Sequence, residues 1–213
     1  MNYSAVVVAA GKSQRFNKDI NKLLYPLSNG SLVIDEALKM FRQDEDCNQI
    51  VIVTNSETIQ YLATNRASGK ESYCAGGESR SESVFNGLMA VFNEYVLVHD
   101  GARCYLGKQD LENIKRAMFE YQAAILVKDE TDTVKKVEDG FIVKTIDRNT
   151  VKRAMTPQGF KTEELFNCYK KAIKDDFKAT DDATIIEKYS DTKIKCIKAI
   201  GYNEKITTID DIK

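Results

Sequence analysis

The chain has 213 residues, and 43% of them are hydrophobic, which is enough to bury the core of one large domain. Its 31 basic residues nearly cancel its 32 acidic ones, so its overall charge does not favour binding to nucleic acid or to an anionic membrane. The longest apolar run, residues 5–10, is too short to span a bilayer and has no basic segment before it, so we expect a cytoplasmic protein with no membrane partner.

The first predicted element is a strand at residues 4–9, which runs into a loop that begins at Gly11. Gly11-Lys12-Ser13 looks like the end of a kinase phosphate loop, but such a loop needs a glycine at position 6, and Val6 lies inside the strand. The loop nevertheless concentrates cations, which are Lys12, Arg15, Lys18 and Lys22. This pattern predicts a polyanionic ligand.

Apolar segments of strand length then alternate with amphipathic segments of helical length. Further strands are predicted at residues 49–54, 95–99 and 123–127, and helices at 32–41, 57–64, 81–92 and 109–121. A second pair of helices at 162–174 and 180–188 precedes a strand at 193–199. The alternation indicates one Rossmann-like α/β domain over residues 1–213, with a mostly parallel sheet and ligands at the carboxyl ends of its strands.

Residues 131–146 depart from this alternation. Two short alternating segments flank Asp139-Gly140, a strong signal for a β-hairpin. A two-stranded hairpin is too small to be stable alone, so we expect an arm that projects from the domain and orders against a partner.

Two more strand ends carry candidate site residues. Gly76 and Gly77 allow a close approach of the backbone to a flat ligand, and Ser83 is expected either to cap the following helix or to hydrogen-bond a base. Asp100 follows an apolar strand, and Arg103 is placed to be its partner. His99 is the only histidine in the sequence, and we interpret it as a structural, hydrogen-bonded group.

Taken in order, these motifs resemble those of the 2-C-methyl-D-erythritol 4-phosphate cytidylyltransferases, over residues 5–211. The residues that carry the resemblance are Ala9-Ala10-Gly11 with Arg15 and Lys22, Gly76-Gly77 with Arg80 and Ser83-Val84, His99-Asp100 with Ala102-Arg103, Asp132-Thr133, Thr145 with Arg148, Thr156-Pro157-Gln158, Thr180-Asp181, and Asn203 with Lys205-Ile206-Thr207. The ribitol-5-phosphate cytidylyltransferases are close relatives of that family. Residues 145–149 favour the methylerythritol branch.

The resemblance implies a three-layer nucleotidyltransferase fold and a reaction of CTP with a sugar-alcohol phosphate that releases pyrophosphate. Arg15, Lys22 and Lys205 match the family's catalytic cations, the first two at the triphosphate and Lys205 at the α-phosphate, with Lys12 as an addition particular to this chain. The implied cofactor is Mg²⁺, held mainly by the CTP phosphates rather than by a cage of side chains. The five cysteines are scattered without paired spacing and are expected to be reduced thiols, not metal ligands.

The remaining roles also follow from the resemblance. Nucleotide binding is assigned to Ala9, Ala10, Gly11, Gly76, Gly77, Glu78, Ser83 and Asp100, and binding of the acceptor to Asp100, Arg103, Thr133, Arg148 and Thr156. In the family, the residues matching Thr133 and Arg148 come from the neighbouring subunit through the hairpin arm. A homodimer is therefore implied.

The sequence departs from the family pattern without removing a required charge. Lys12 to Gln14 replace the usual second glycine of the loop, and Cys104 replaces a proline.

A dinucleotide-binding oxidoreductase is a weaker alternative, because no G-x-G-x-x-G motif follows a strand. A nucleotide sensor without turnover is another, although it would not need to retain all three catalytic cations.

Overall fold

Strands and helices alternate along the chain in the computed structural model, which describes residues 1–11, 15–16, 20–65 and 69–212. In chain order the elements are β1 (Tyr3–Ala9), α1 (Val33–Gln43), β2 (Cys47–Thr54), α2 (Ser56–Asn65), β3 (Glu71–Ala75), α3 (Arg80–Leu88), β4 (Tyr95–Asp100), α4 (Lys108–Tyr121), β5 (Ala123–Asp129), β6 (Val134–Glu138), β7 (Phe141–Ile146), β8 (Lys152–Lys161), α5 (Thr162–Lys174), α6 (Asp182–Tyr189) and β9 (Lys195–Lys198). The predicted α/β class is confirmed.

The main sheet is mostly parallel, and its strands follow the order β3-β2-β1-β4-β8-β5-β9. Only β8 runs antiparallel to its neighbours, β4 and β5. In the parallel part, Ala9 lies opposite Thr54 and Val8 lies opposite Asp100. The carboxyl ends of β1, β2 and β4 therefore meet at one edge, where parallel α/β sheets bind their ligands.

Helices cover both faces of this sheet and give three layers. On one face, α1 and α4 bury side chains such as Phe41 and Ile114, and on the other, α3 and α5 bury Val84 and Leu165. Full burial of each such side chain contributes roughly 1.5–3 kcal/mol to the free energy of unfolding. The two apolar layers hold the strand ends in fixed relative positions.

Two strands escaped prediction, and one predicted helix is too long. β3 is an edge strand of half-buried residues without an apolar run, and β8 contains Pro157 and Gly159, both poor strand formers. Residues 155–157 lie where the pairing of β8 with β5 shifts register, so Pro157 is accommodated without a ladder hydrogen bond. Helix α3 ends at Leu88 rather than at residue 92, and the chain passes through a turn before β4.

The predicted hairpin is present as a separate two-stranded antiparallel sheet of β6 and β7. Asp139 and Gly140 both have positive φ angles, 49° and 83°, as a type I′ turn requires. Phe141 is 78% exposed and Ile142 65% exposed, so the arm presents apolar side chains to solvent. Among the described residues, none of the helices combines the length and apolar character that crossing a membrane requires.

Candidate active site

A cleft of about 640 Å³ opens at the carboxyl ends of β1 and β4. The start of α3 and the irregular segment around Lys205 complete its walls. Its lining residues are Val8, Ala9, Ala10, Gly11, Arg15, Lys22, Leu23, Gly77, Glu78, Ser79, Arg80, Ser83, Asp100, Ala102, Lys205 and Thr207. Three sequence-distant motifs, those at Gly11, Gly77 and Asp100, thus contribute to one cavity.

All three predicted catalytic cations line this cleft. The Lys22 ammonium donates to the carbonyl oxygen of Ile206 at 2.7 Å, which joins the first loop to the C-terminal segment. Burial lowers the pKa of Lys22, and the neighbouring charges of Lys205 and Arg15 lower it further. Three like charges held together in this way favour a polyanion in the cleft. Lys12 and Lys18, which also belong to the predicted basic loop, lie outside the described residues.

Asp100 lies at the centre of the charged wall. Its Oδ1 is 3.2 Å from Arg80 Nε, and its Oδ2 is 2.8 Å from Lys205 Nζ and 3.8 Å from Arg103 Nε. Burial by itself would raise the pKa of Asp100, but the charges of Arg80 and Lys205 outweigh it and hold that pKa well below its usual range. The carboxylate therefore stays ionised at neutral pH.

The glycine motif before α3 forms a narrow, rigid corner of the cleft. Ser79, not Ser83, caps the helix, by accepting a hydrogen bond from Glu82 N. The Ser83 hydroxyl donates to Ser79 O at 2.9 Å and accepts from Gly77 N at 3.1 Å. Gly76 lies directly behind the cleft, where a side-chain carbon would overlap the Ala10 methyl group. A side-chain carbon at Gly77 would likewise overlap Glu82, so the packing of this corner requires glycine at both positions.

His99 and Thr156 lie beneath the cleft and hold Asp100 in place. The His99 Nε2 donates to Arg103 O at 2.9 Å, and its Nδ1 accepts from the Thr156 hydroxyl at 3.1 Å. The same Thr156 oxygen accepts from Asp100 N. Burial lowers the pKa of His99 to about 4, so its ring is neutral at pH 7, which agrees with the structural role expected of it. Thr156 is buried, and its contact with a substrate stays a prediction.

Four of the five predicted acceptor-binding residues do not line the cleft: Thr156, described above, and Arg103, Thr133 and Arg148. Arg103 lies behind Asp100, where its Nη1 donates to Asn203 O at 2.8 Å. Thr133 and Arg148 lie at the base of the hairpin, both exposed, and Arg148 Nη1 donates to Thr131 O at 2.8 Å. Within one subunit, the structure brings neither hairpin residue to the cleft lining.

Sequence reasoning missed the role of Arg80. This arginine lines the cleft and bridges Asp100 and Asp182, the latter at the start of α6. Its position three residues after Gly77, at the first turn of a helix that begins at the sheet edge, is the signal that could have found it. The partner Asp182 is 102 residues away in sequence, and no local pattern indicates it.

Comparison with known proteins identifies the family. A family model described as 2-C-methyl-D-erythritol 4-phosphate cytidylyltransferase matches residues 3–213. The chain belongs to this family. It is therefore a nucleotidyltransferase, and the oxidoreductase and ribitol phosphate alternatives are not favoured.

Curated relatives and solved structures agree with this membership. The 2-C-methyl-D-erythritol 4-phosphate cytidylyltransferase of Bacillus mycoides is 34% identical over 99% of this chain and 94% of its own length. That of Geobacillus thermodenitrificans is 36% identical over 100% and 94%. Among solved structures, 4-diphosphocytidyl-2C-methyl-D-erythritol synthase from Anaerococcus prevotii has a TM-score of 0.87 at 28% identity, covering 99% of this chain and 92% of that one. The Francisella tularensis cytidylyltransferase has a TM-score of 0.84 at 28% identity, covering 99% and 96%.

Proposed function

We propose that the cleft binds CTP and that the chain transfers its cytidylyl group to 2-C-methyl-D-erythritol 4-phosphate, in the synthesis of isoprenoid precursors. A phosphate oxygen of the acceptor forms a bond to the α-phosphorus of CTP. The bond from that phosphorus to the bridging oxygen breaks, and pyrophosphate leaves with the electron pair. The observation that carries this proposal is the convergence of Arg15, Lys22 and Lys205 on one cleft in a member of this family.

The three cations would stabilise the charge that develops on the phosphate oxygens. Such phosphoryl chemistry depends mainly on positioning and on electrostatic stabilisation. The Arg15 guanidinium can bind two oxygens at once, whereas the Lys22 ammonium is a point charge that can follow the departing pyrophosphate. Lys205 would act at the α-phosphate, where CTP would compete with Asp100 for its ammonium.

No general base is needed in this reaction. The phosphate monoester of the acceptor already carries nucleophilic oxygens at neutral pH, and His99 is neutral, fully buried and hydrogen-bonded on both ring nitrogens. The rigid corner at Gly77 and Ser83 would hold the cytosine ring. The Ser83 oxygen, which accepts one hydrogen bond from Gly77 N, has a second lone pair that suits the amino group of cytosine.

The donor set of the cleft suits a Mg²⁺ ion that enters on the nucleotide. Among the described residues, no group of three or more His, Cys, Asp or Glu side chains could hold a metal ion. Both carboxylate oxygens of Asp100 are already taken by cationic side chains. When bound to the CTP phosphates, Mg²⁺ would supply further charge neutralisation, and the protein's cations would hold the phosphates themselves.

The hairpin arm supports a homodimer in which each site is shared. Burial of the exposed apolar side chains of β7 by a second subunit would be favourable. Thr133 and Arg148 flank β6 and β7, which form a sheet separate from the main one. A second copy of the chain would bury Phe141 and Ile142 and bring Arg148 to the acceptor phosphate. Arg148 suits that role because a guanidinium binds phosphate with two parallel hydrogen bonds.

The function is tested by measuring pyrophosphate release from each of the four nucleoside triphosphates with Mg²⁺ and either 2-C-methyl-D-erythritol 4-phosphate or ribitol 5-phosphate. We expect release only with CTP and the methylerythritol substrate, and the product should contain cytidine diphosphate linked to the sugar alcohol. Equal or greater turnover with ribitol 5-phosphate would contradict the acceptor assignment. Nucleotide binding without release from any pair would instead support a sensor.

A further inference from the structure

Two anions compete for the Lys205 ammonium, the Asp100 carboxylate and the α-phosphate of CTP. This ammonium lies 2.8 Å from Asp100 Oδ2, yet the proposed function requires it at the α-phosphate of CTP. Asp100 is only 8% exposed, and a buried carboxylate that loses its counter-ion is strongly destabilised. If Lys205 moves to the nucleotide, another cation must therefore remain paired with the Asp100 carboxylate.

Arg80 is placed to be that cation. Its Nε donates to Asp100 Oδ1 at 3.2 Å, so it binds the carboxylate oxygen that Lys205 leaves free. The two terminal nitrogens of the same guanidinium donate to Asp182, Nη1 to Oδ1 at 3.2 Å and Nη2 to Oδ2 at 2.7 Å. This bidentate contact fixes the orientation of the guanidinium plane.

Asp182 is itself anchored firmly. It is 0% exposed, and Tyr169 donates a hydrogen bond of 2.5 Å to its Oδ1. The Gln158 Oε1 accepts hydrogen bonds from the backbone N–H groups of Asp182 and Ala183. The start of α6 thus holds Asp182 and, through it, Arg80. The Lys205 side chain, by contrast, is 41% exposed, and its ion-pair partner among the described residues is Asp100.

Arg103 is the other cation near Asp100, but it is a weaker substitute. Its Nε lies 3.8 Å from Asp100 Oδ2, beyond hydrogen-bond distance, and its Nη1 is engaged with Asn203 O. Of the two arginines, only Arg80 makes a hydrogen bond to the carboxylate of Asp100.

We propose that Arg80 is a positioning residue that keeps Asp100 neutralised by an ion pair and thereby allows Lys205 to exchange Asp100 for the α-phosphate of CTP. This inference rests on the proposed function. In the free protein Asp100 is shared by Lys205 and Arg80, and in the nucleotide complex it is held by Arg80. Asp182 serves as the fixed counter-ion that keeps Arg80 from following the phosphates into the cleft.

The test is a double-mutant cycle on CTP binding, measured by calorimetry with Mg²⁺ on the full chain. Arg80→Gln should weaken CTP binding by about tenfold or more, because leaving a buried charge unpaired is expensive. In an Asp100→Asn background, where no carboxylate competes for Lys205, the same Arg80→Gln change should alter CTP affinity by less than about threefold. Arg80→Lys, which restores the charge, should recover most of the lost affinity in the Asp100 background.

Arg42→Gln is the matched control. Arg42 also bridges two carboxylates, Asp35 and Glu71, with a similarly buried side chain, but it lies away from the cleft. Its loss should lower the free energy of unfolding and leave the KM for CTP unchanged, whereas Arg80→Gln should raise that KM.

Two results would overturn the inference. Equal losses of CTP affinity from Arg80→Gln in both backgrounds would mean that Arg80 attracts the nucleotide directly or only supports the fold. An unchanged CTP affinity of Arg80→Gln in the chain that retains Asp100 would mean that Lys205 reaches the α-phosphate without an ion pair between Arg80 and Asp100. If Arg80→Gln does not fold, the same two CTP affinities are compared with Arg80→Met, in the Asp100 and Asp100→Asn backgrounds. In either case, Arg80→Lys must bind CTP within about threefold of the unaltered chain. If the unaltered chain itself fails to bind CTP, the proposed function is wrong, which is a separate outcome.

Discussion

Lys22 joins two distant parts of the chain and, under the proposed function, also places a positive charge at the CTP phosphates. Its ammonium is bonded to Ile206 O, and burial together with Lys205 and Arg15 lowers its pKa. We expect Lys22→Ala to reduce kcat on the order of 10²–10³-fold, as loss of a charge aimed at a transition state does. Stopped assays of pyrophosphate release would measure this. Lys39→Ala, at an exposed ion pair on α1, is the control and should keep normal turnover.

The lowered pKa of Lys22 also sets a direction for the pH dependence. Only the protonated amine stabilises phosphate oxygens, so kcat/KM for CTP should fall as pH rises through the pKa of Lys22. Because that pKa is lowered, the fall should begin at a lower pH than an ordinary lysine would give. Near-normal turnover of Lys22→Ala, with the same alkaline limb, would remove Lys22 from the mechanism.

Some residues of the cleft were predictable from sequence. Asp100 ends the apolar strand β4, and Gly77 belongs to a glycine pair just before α3, so both carry a local signal, and the sheet topology brings them to one edge. Arg80 was not assigned a role, since its position depends on contacts with Asp182 at the start of α6. Long-range pairs of this kind leave no trace in local periodicity.

At the scale of elements, the hairpin is the one most open to test. Phe141 is 78% exposed on an arm outside the main sheet, and a partner subunit would cover it. We expect Phe141→Ser to shift the chain from dimer to monomer in light scattering and to lower turnover, because Arg148 would no longer reach a neighbouring site. Phe92→Ser, at a phenylalanine 69% exposed beyond α3, should leave both unchanged. A Phe141→Ser chain that stays dimeric would contradict the arm's role.

Elements with a clear apolar period were predicted well, and those without one were not. The strands at β1, β2, β4 and β5 were found because they are apolar on both faces, as buried parallel strands must be. β8 was missed because tertiary pairing with β4 and β5 overrides the poor strand propensity of Pro157 and Gly159. Its antiparallel direction could not be read from composition.

At the scale of the whole molecule, the proposed homodimer with shared sites predicts complementation between inactive copies. Co-expression of differently tagged Asp100→Ala and Arg148→Ala chains should give a heterodimer with one intact site, and so about half the turnover of an unaltered dimer. The comparison is a heterodimer of Asp100→Ala with Lys205→Ala, in which both changes fall on the same half of a site. That pair should stay inactive. An inactive Asp100→Ala and Arg148→Ala heterodimer would show that each subunit works alone.

The contact between Lys22 and Ile206 joins positions that are 184 residues apart. A ribosome-bound chain has therefore made the first loop long before it can make the segment that carries Lys205 and closes the cleft. Until Ile206 has been made, the Lys22 ammonium lacks the carbonyl oxygen that it binds, and the cleft lacks the wall that contains Lys205. Under the proposed function, the nucleotide site is therefore complete only after the segment around Lys205 has been made.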